Sequence, residues 1–564
     1  MTENILEYLL KNGYNAYIEE EGIVTRHHYN DIEFSIIGFY PKQSRSLPIF
    51  YLRERSKYGS LAHVGWENKS NNDEGMICEG VDINRHIDYV NPHIVYLMAL
   101  KKAVNTILQD FSNNEFNRQE IINEFTAHWR HAADEKHKVI SFIEPGTFVE
   151  EIEIYNPILP SRLKFPYFAK ERTNLINNEY LNILIKKSQI KGKAVYVPIN
   201  FLTLPPNPTT KLIQWWLELV QKLPWKIQSQ LKDVARRNHA RDFWVLGSIA
   251  LKSDTHGWFC IRFSNANKCT PPLYSDSEIT AWEASAYDVK IHSKEYIVPR
   301  GGSTVYEKEN TLAVVGCGSV GAEIARQLAS SGINNLLLID PDRFSMENIY
   351  RHFLGPEHIG EGKNLELVLE LKSRYPYTNA TVVPQQLLES CLTDDFLSSI
   401  NGIVVATGSP TEERYFNDEL FKFDHRPWVI YCWVEGHGVG GHAVYVHNSG
   451  KGCLNCLYRD GDGNKSLESI QNFLKPEQDI AVDIAGCGTH FLPYSFTDAI
   501  QTAILATRLA LLAIENKLTE SCRISWKNER ANERGLRTSY RYKAFNNSLN
   551  IEKLYWEDCD VCNK

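Results

Sequence analysis

Residues 311–321, Thr-Leu-Ala-Val-Val-Gly-Cys-Gly-Ser-Val-Gly, set Gly316, Gly318 and Gly321 in a G-x-G-x-x-G loop behind an apolar run and ahead of the helix-like run Ala322–Ser330. A glycine turn between strand and helix presents backbone N–H groups and the positive end of a helix dipole to a phosphate. A nucleotide is therefore expected here, although dinucleotide redox enzymes carry the same loop. Further along, Asp340 closes the run Asn335-Leu-Leu-Leu-Ile-Asp340, where a carboxylate can accept hydrogen bonds from ribose hydroxyls. Asn348, Arg351 and Lys363 follow. An amide and two cations suit a triphosphate better than a nicotinamide, because charge developing on phosphoryl oxygens needs fixed positive partners.

Thiols form the second set of chemically capable residues. Cys453-Leu-Asn-Cys456 and Cys559-Asp-Val-Cys562 are two C-x-x-C pairs. If the chain folds back to join them, four thiolates suit a tetrahedral structural zinc with no open position for chemistry. Cys487 stands between Gly486 and Gly488, ahead of a long helix beginning near Phe496. Flanking glycines free the backbone there, as a nucleophile approaching a large acyl substrate requires. His490 is near enough in sequence to lower the thiol pKa, or is simply a surface residue. Cys78, in Gly75-Met-Ile-Cys-Glu79, is the other candidate nucleophile. Cys260, Cys269, Cys317, Cys391, Cys432 and Cys522 read as buried small hydrophobes.

The elements that must position these residues divide the chain into an expected three parts. A length of 564 residues suits three or so domains, and 43% hydrophobic with 23% charged residues is ordinary for globular proteins. The net charge of −8 argues against a nucleic-acid surface. No basic N-terminal segment with an apolar core suggests secretion, and twelve cysteines then read as reduced thiols, ligands or nucleophiles in a cytoplasmic protein. The apolar stretch Ala499–Ile514 carries Gln501, Thr502, Thr507 and Arg508, so a buried helix is expected rather than a membrane span. Residues 1–150 read as an α+β domain: a helix at Glu3–Lys11, strands at Ile32–Tyr40 and Leu47–Leu52, the Cys78 loop, and a helix from Asn91 to Asp110. Residues 151–295 read as an α+β connector, with an aromatic helix at Thr210–Pro224 and strands at Phe243–Leu251 and Gly257–Phe263. His27, His28 and His292 lack companions and are expected at the surface. Residues 296–564 read as an α/β, doubly wound, Rossmann-like domain with a zinc site.

Asp340-x-Asp342, Asn348-x-x-Arg351 and Lys363 behind the glycine loop resemble the adenylating superfamily of ThiF, MoeB and the ubiquitin-activating enzymes. The resemblance implies that Asp340 holds the ribose of ATP and that Asn348, Arg351 and Lys363 grip its triphosphate. It implies adenylation of a partner's C-terminal carboxylate with release of pyrophosphate, then capture of the acyl group as a thioester on Cys487. It also supports the zinc pairing and implies a homodimer. The run Gly402–Thr407 resembles the strand that ends in a magnesium-binding aspartate, yet Gly408 and Ser409 stand at that point. Magnesium is then expected on phosphates, water and another carboxylate such as Asp342.

Residues 1–110, with Ile77-Cys78-Glu79 and the upstream His63, resemble ubiquitin-conjugating enzymes in the order of their elements. No H-P-N triplet is present, so the asparagine that would steady an oxyanion is open among Asn68, Asn71 and Asn72. Over most of its length the chain resembles bacterial CBASS fusions of a conjugating and an activating domain. That implies transfer from Cys487 to Cys78 and on to a lysine-bearing acceptor, with a cGAS-like nucleotidyltransferase supplying the flexible C-terminus in antiphage defence. Two alternatives share the ATP site: activation of a ubiquitin-like or sulfur-carrier protein, and an ATP-binding scaffold without catalysis. No membrane partner is expected.

Overall fold

The computed structural model describes residues 2–40, 46–65, 73–78, 88, 90–158, 165–169, 179–206, 211–251, 255–274, 279, 281–302, 310–383, 391–460, 462–482, 491–546 and 550–563. They form two compact units, residues 1–174 with 185–293 and residues 175–184 with 294–564.

The first unit begins with helix α1 (Thr2–Lys11) and an antiparallel meander, β1 (Asn15–Glu19), β2 (Gly22–Tyr29), β3 (Ile32–Phe39), β4 (Ile49–Leu52) and β5 (Gly75–Met76). Helix α2 (Pro92–Ser112) follows, with Pro92 at its first position, where the missing N–H costs nothing. Tyr96, Leu100, Ala103 and Ile107 recur at helical spacing and share a core with Ile5 and Leu9 of α1 and with Phe34, Ile36, Phe50 and Leu52 of the sheet.

Two short helices, α3 (Asn114–Asn123) and α4 (Phe125–Ala132), lead without a break into β6 (Ala133–Ser141). With β7 (Glu150–Pro157), β8 (Tyr167–Ala169), β9 (Ser188–Ile199), β10 (Ala240–Ala250), β11 (His256–Cys269) and β12 (Glu283–Ile291) it closes a barrel in the order β10-β11-β12-β6-β8-β7-β9. The expected boundary between residues 150 and 151 therefore falls inside this barrel. The barrel starts at Ala133, and no Gly or Pro separates α4 from β6 to signal it. The connector is a closed barrel with helices on it because its strands are apolar on both faces. Alternate residues Ile154, Ala194, Tyr196, Trp244, Leu246 and Cys260 pack together on one face. Val195, Val197, Phe243, Val245, Phe259 and Ile261 lie on the other, against Phe125 and Trp129 of α4 and the helices α5 (Leu212–Lys222) and α6 (Trp225–Arg237).

The second unit is an eight-stranded sheet, β15-β14-β13-β16-β17-β18-β19-β20. Its first five members are parallel: β13 (Thr311–Val315), β14 (Asn335–Ile339), β15 (Asn379–Val382), β16 (Gly402–Val405) and β17 (Trp428–Val434). The antiparallel β18 (Gly440–Val446), β19 (Cys522–Lys527) and β20 (Glu552–Lys553) extend it. One face is covered by α7 (Ser319–Ser330), α8 (Lys363–Arg374) and α10 (Phe496–Ile514), the other in part by α9 (Pro410–Leu420). Helix α10 is long and apolar enough to cross a bilayer, but Ala499, Ala503, Ala506, Leu509 and Ala510 are buried in the protein's own core. Strand β13 lies between β14 and β16, so the strand order reverses at its C-terminal end and opens a crevice there.

Candidate active sites

The glycine loop sits at that crevice, and each glycine is required for a different reason. Gly316 has φ +85°, a left-handed turn that also brings its Cα close to strand β16; an added Cβ would lie 2.6 Å from the Ala406 carbonyl oxygen. At Gly321 an added Cβ would lie 1.8 Å from the carbonyl oxygen of Gly316, so the glycine lets α7 press against the turn. A Cβ at Gly318 would meet nothing within 4 Å, which leaves its backbone open to a ligand.

Two buried side chains stitch the loop in place. Asp340 accepts from the Cys317 N–H at 2.5 Å and the Asp342 N–H at 2.8 Å, and burial pushes its carboxyl above the usual carboxylate range. His352 accepts the Leu354 N–H on Nδ1 at 3.0 Å, so Nε2 carries the proton and donates to the Cys317 carbonyl at 2.8 Å. Burial pushes this ring down to about 4, and it stays neutral. Nothing in the spacing of residues marked His352 for this role.

Gly316, Gly318, Asp340, Asp342 and Lys363 come together as sequence reasoning expected, around a cleft of about 370 Å3. Lys363 opens helix α8, is 9% exposed, and its Nζ lies 2.8 Å from Asp342 Oδ2. Arg351 lines an adjoining cleft of about 500 Å3 that shares Gly318. Its guanidinium lies 5.4 Å from the Tyr494 ring centre, and the Tyr494 hydroxyl is 2.8 Å from Ser319 Oγ at the start of α7. Asn348 has a local role as well. Its Oδ1 accepts from the Ser345 N–H at 3.3 Å, capping the short 3-10 helix Met346–Arg351 that presents Arg351.

Gly408 has φ +68° and donates its N–H to Glu413 Oε1 at 3.1 Å; the Thr407 hydroxyl donates to the same oxygen at 2.8 Å. Glu413, on α9 and 3% exposed, thus caps the loop after β16, and burial pushes its carboxyl up to about 7. Glu412, one residue earlier, lines the nucleotide-sized cleft with Asp342. Sequence reasoning missed both acids because their relation to Gly408 appears only once α9 is folded.

The four cysteines of the C-x-x-C pairs converge. Cys453 Sγ lies 3.6 Å from Cys559 Sγ and Cys456 Sγ 3.5 Å from Cys562 Sγ, with all four sulfurs within 4.8 Å of one another. A tetrahedral ion with metal–sulfur bonds of about 2.3 Å sets sulfur–sulfur distances of about 3.8 Å, so the quartet fits. Its sulfurs also accept from the Gly452 N–H at 3.3 Å and the Cys453 N–H at 3.4 Å. Cys317, Cys391, Cys432, Cys522 and Cys260 are buried, and Cys269 is half-buried.

In the first unit, Cys78 is exposed at the edge of a groove of about 710 Å3 that His63, Glu124, His128 and His131 also line. Val64 pairs antiparallel with Ile77, and the Cys78 N–H donates to the His63 carbonyl at 2.8 Å, so His63 stands opposite Cys78. Buried Arg55 holds this stretch through the Gly59 and Val64 carbonyls. Asp110, 1% exposed near the end of α2, grips His63 twice, accepting from Nδ1 at 2.9 Å and from the backbone N–H at 3.1 Å. Cys487 and His490, and Asn68, Asn71 and Asn72, lie outside the described residues.

Residues 304–533 match the ThiF family. The chain is similar to the Escherichia coli ATP-dependent ubiquitin transferase-like protein Cap2, 21% identical over 533 residues, 83% of either chain. It is also similar to the Vibrio cholerae Cap2, 26% identical over 37% of this chain and 36% of that one. The adenylyltransferase and sulfurtransferase MOCS3 of Xenopus laevis is 32% identical over 30% of this chain and 38% of its own. The chain is an activating-enzyme-like fusion protein, in which a ThiF-family domain is joined to a further N-terminal unit.

Proposed function

We propose that this protein uses ATP to activate the C-terminal carboxylate of a protein and conjugates it, by way of two thiols, to an amine. The observation that carries the reading is the open backbone of Gly318, flanked by Lys363 in one cleft and Arg351 in the next, with Asp340 anchoring the loop between strand and helix. In the first step a carboxylate oxygen attacks the α-phosphorus of ATP, the bond to the bridging oxygen breaks, and pyrophosphate leaves. Lys363 and Arg351 offset the charge that collects on the departing phosphates, as fixed cations do in a partly dry site. Asp342 releases Lys363 to the phosphates, and Asp340 keeps the loop N–H groups aimed. Cys487 then attacks the acyl carbon and AMP leaves; Cys78 takes the acyl group by thiol exchange and passes it to a lysine. A thioester keeps enough reactivity for that last transfer.

Asp342 and Glu412 are the carboxylates of the cleft that would hold magnesium, which screens the polyphosphate when bound. The cysteine quartet would hold zinc as a structural clip. The resemblance of the N-terminal elements to conjugating enzymes and of the chain to Cap2 supports the two-thiol relay. We take a cGAS-like nucleotidyltransferase as the activated protein, in a cytoplasmic, homodimeric enzyme of antiphage defence. Gly408, in place of the acid that would bind metal, favours the second reading, a scaffold that holds ATP without turnover.

Intact mass spectrometry of the full chain with ATP, magnesium and that nucleotidyltransferase tests the reading against Cys487→Ala, Cys78→Ala and Lys363→Ala. A thiol-labile adduct lost in Cys487→Ala and Lys363→Ala, and stalled before ligation in Cys78→Ala, supports it. Bound ATP without pyrophosphate exchange would replace it with the scaffold.

A further inference from the structure

We infer that His63, held by Asp110, is the general base that takes the proton from the amine attacking the acyl group on Cys78. The inference rests on the reading that Cys78 carries that group. Four observations lead to it. The pairing of Val64 with Ile77 puts His63 and Cys78 directly opposite each other, and residues so placed share a face with Cβ atoms about 5 Å apart. Val64 and Ile77 point the other way, into the core, so the paired face of His63 and Cys78 is the groove. Asp110 accepts from Nδ1, which fixes the tautomer and leaves Nε2 as the basic nitrogen. Asp110 is itself a buried carboxylate in the last turn of α2, where the helix dipole disfavours a negative charge. It accepts both N–H groups of His63, with the buried Arg55 cation also near it, an arrangement that orients the ring.

The geometry gives a balanced step. The amine nitrogen bonds to the acyl carbon, Nε2 accepts the proton the nitrogen sheds, and the C–S bond breaks with its electron pair leaving on Sγ. The imidazolium then returns its proton to that sulfur. The surroundings keep the ring basic: Asp110, Glu120 and Glu124 place negative charge near it and raise it above its ordinary range. His128, driven down to about 4 by burial, stays neutral, while His131, Lys136 and Lys138 also line the groove.

The test uses the full chain in a Cys487→Ala background, acylated with the mercaptoethanesulfonate thioester of N-acetylglycine and followed by mass spectrometry of the Cys78 peptide. Discharge to free lysine should slow about 100-fold in His63→Ala and about 10-fold in Asp110→Asn, the range for loss of a positioned base and of its orienting partner. Added imidazole should restore lysine discharge in His63→Ala, which a merely structural role would not allow. Discharge to hydroxylamine, a weaker base whose attacking nitrogen sheds its proton to water more readily, should slow much less in His63→Ala than discharge to lysine. If the variants do not fold, the wild-type profile decides: lysine discharge, divided by the fraction of lysine present as free amine at each pH, must still fall as pH drops through an imidazole titration. Lysine discharge at the wild-type rate from acylated His63→Ala, or a wild-type profile without that titration, overturns the inference and leaves Cys78 as the acyl carrier. Failure of Cys78 to take the probe removes that reading and the inference with it.

Discussion

Replacing Glu413 by Gln should stabilise the ThiF-family unit at alkaline pH and change it much less at acid pH. Burial holds the Glu413 carboxyl at about 7, against 4.5 when exposed. Between those values the folded protein keeps a proton that the unfolded chain has lost, so wild-type stability falls as pH rises from 4.5 to about 7 and is flat above. At 1.36 kcal/mol for each unit the full effect is about 3 kcal/mol, and at 3% exposure solvent does little to screen it. Glutamine keeps an oxygen for the Thr407 hydroxyl and the Gly408 N–H but carries no charge to desolvate. Urea unfolding of wild type and Glu413→Gln, read by hydrogen exchange of peptides from this unit's sheet, would be compared at about pH 5.5 and about pH 8.5. The difference between the two proteins, taken between the two pH values, cancels every other titrating group. It should be about 2 kcal/mol, with the mutant gaining at the higher pH. A double difference under about 0.5 kcal/mol would show that Glu413 is not held protonated by its surroundings.

Gly321→Ala should destabilise the second unit by about 1–3 kcal/mol in the same assay, because its Cβ meets backbone, whereas Gly318→Ala should unfold like wild type yet lose ATP affinity in calorimetry. His352→Ala strands the Cys317 carbonyl and the Leu354 N–H, about 1–3 kcal/mol for each, and should weaken ATP binding equally at about pH 6 and about pH 8, since the native ring is neutral at both. Elemental analysis should find one zinc per chain, and Cys559→Ala or a strong chelator should remove it and lower the urea midpoint of the second unit.

The glycine loop, Asp340, Lys363 and the C-x-x-C pairs were legible because their chemistry is local or recurs at fixed spacing. Parallel strands such as β13 and β16 were legible because burial on both faces makes them short, unbroken apolar runs. Asp110, Glu413 and His352 were not. Each acts on backbone or a ring that only the folded chain brings near, 47 residues away for Asp110 and 35 for His352. The barrel escaped for a related reason. Strands with apolar residues on both faces have no alternation to distinguish them, and the long-range pairing of the last strand with the first that closes the ring, β12 with β6, has no local signature. Asn348 shows the reverse case: its type and spacing suggested a phosphate ligand, and the fold also uses its Oδ1 to cap the turn that carries Arg351.

The cysteine quartet also sets a schedule for synthesis. Cys453 and Cys559 are 106 residues apart, and helix α10 and strand β19 lie between them. At about 5–20 residues per second the first thiol pair waits roughly 5–20 s on the ribosome before the second exists. During that interval Cys453 and Cys456 are bare thiols open to oxidation or to scavenging any soft ion, so if the quartet takes zinc as proposed, the supply of reduced thiols and free zinc would limit how many chains reach the clipped state.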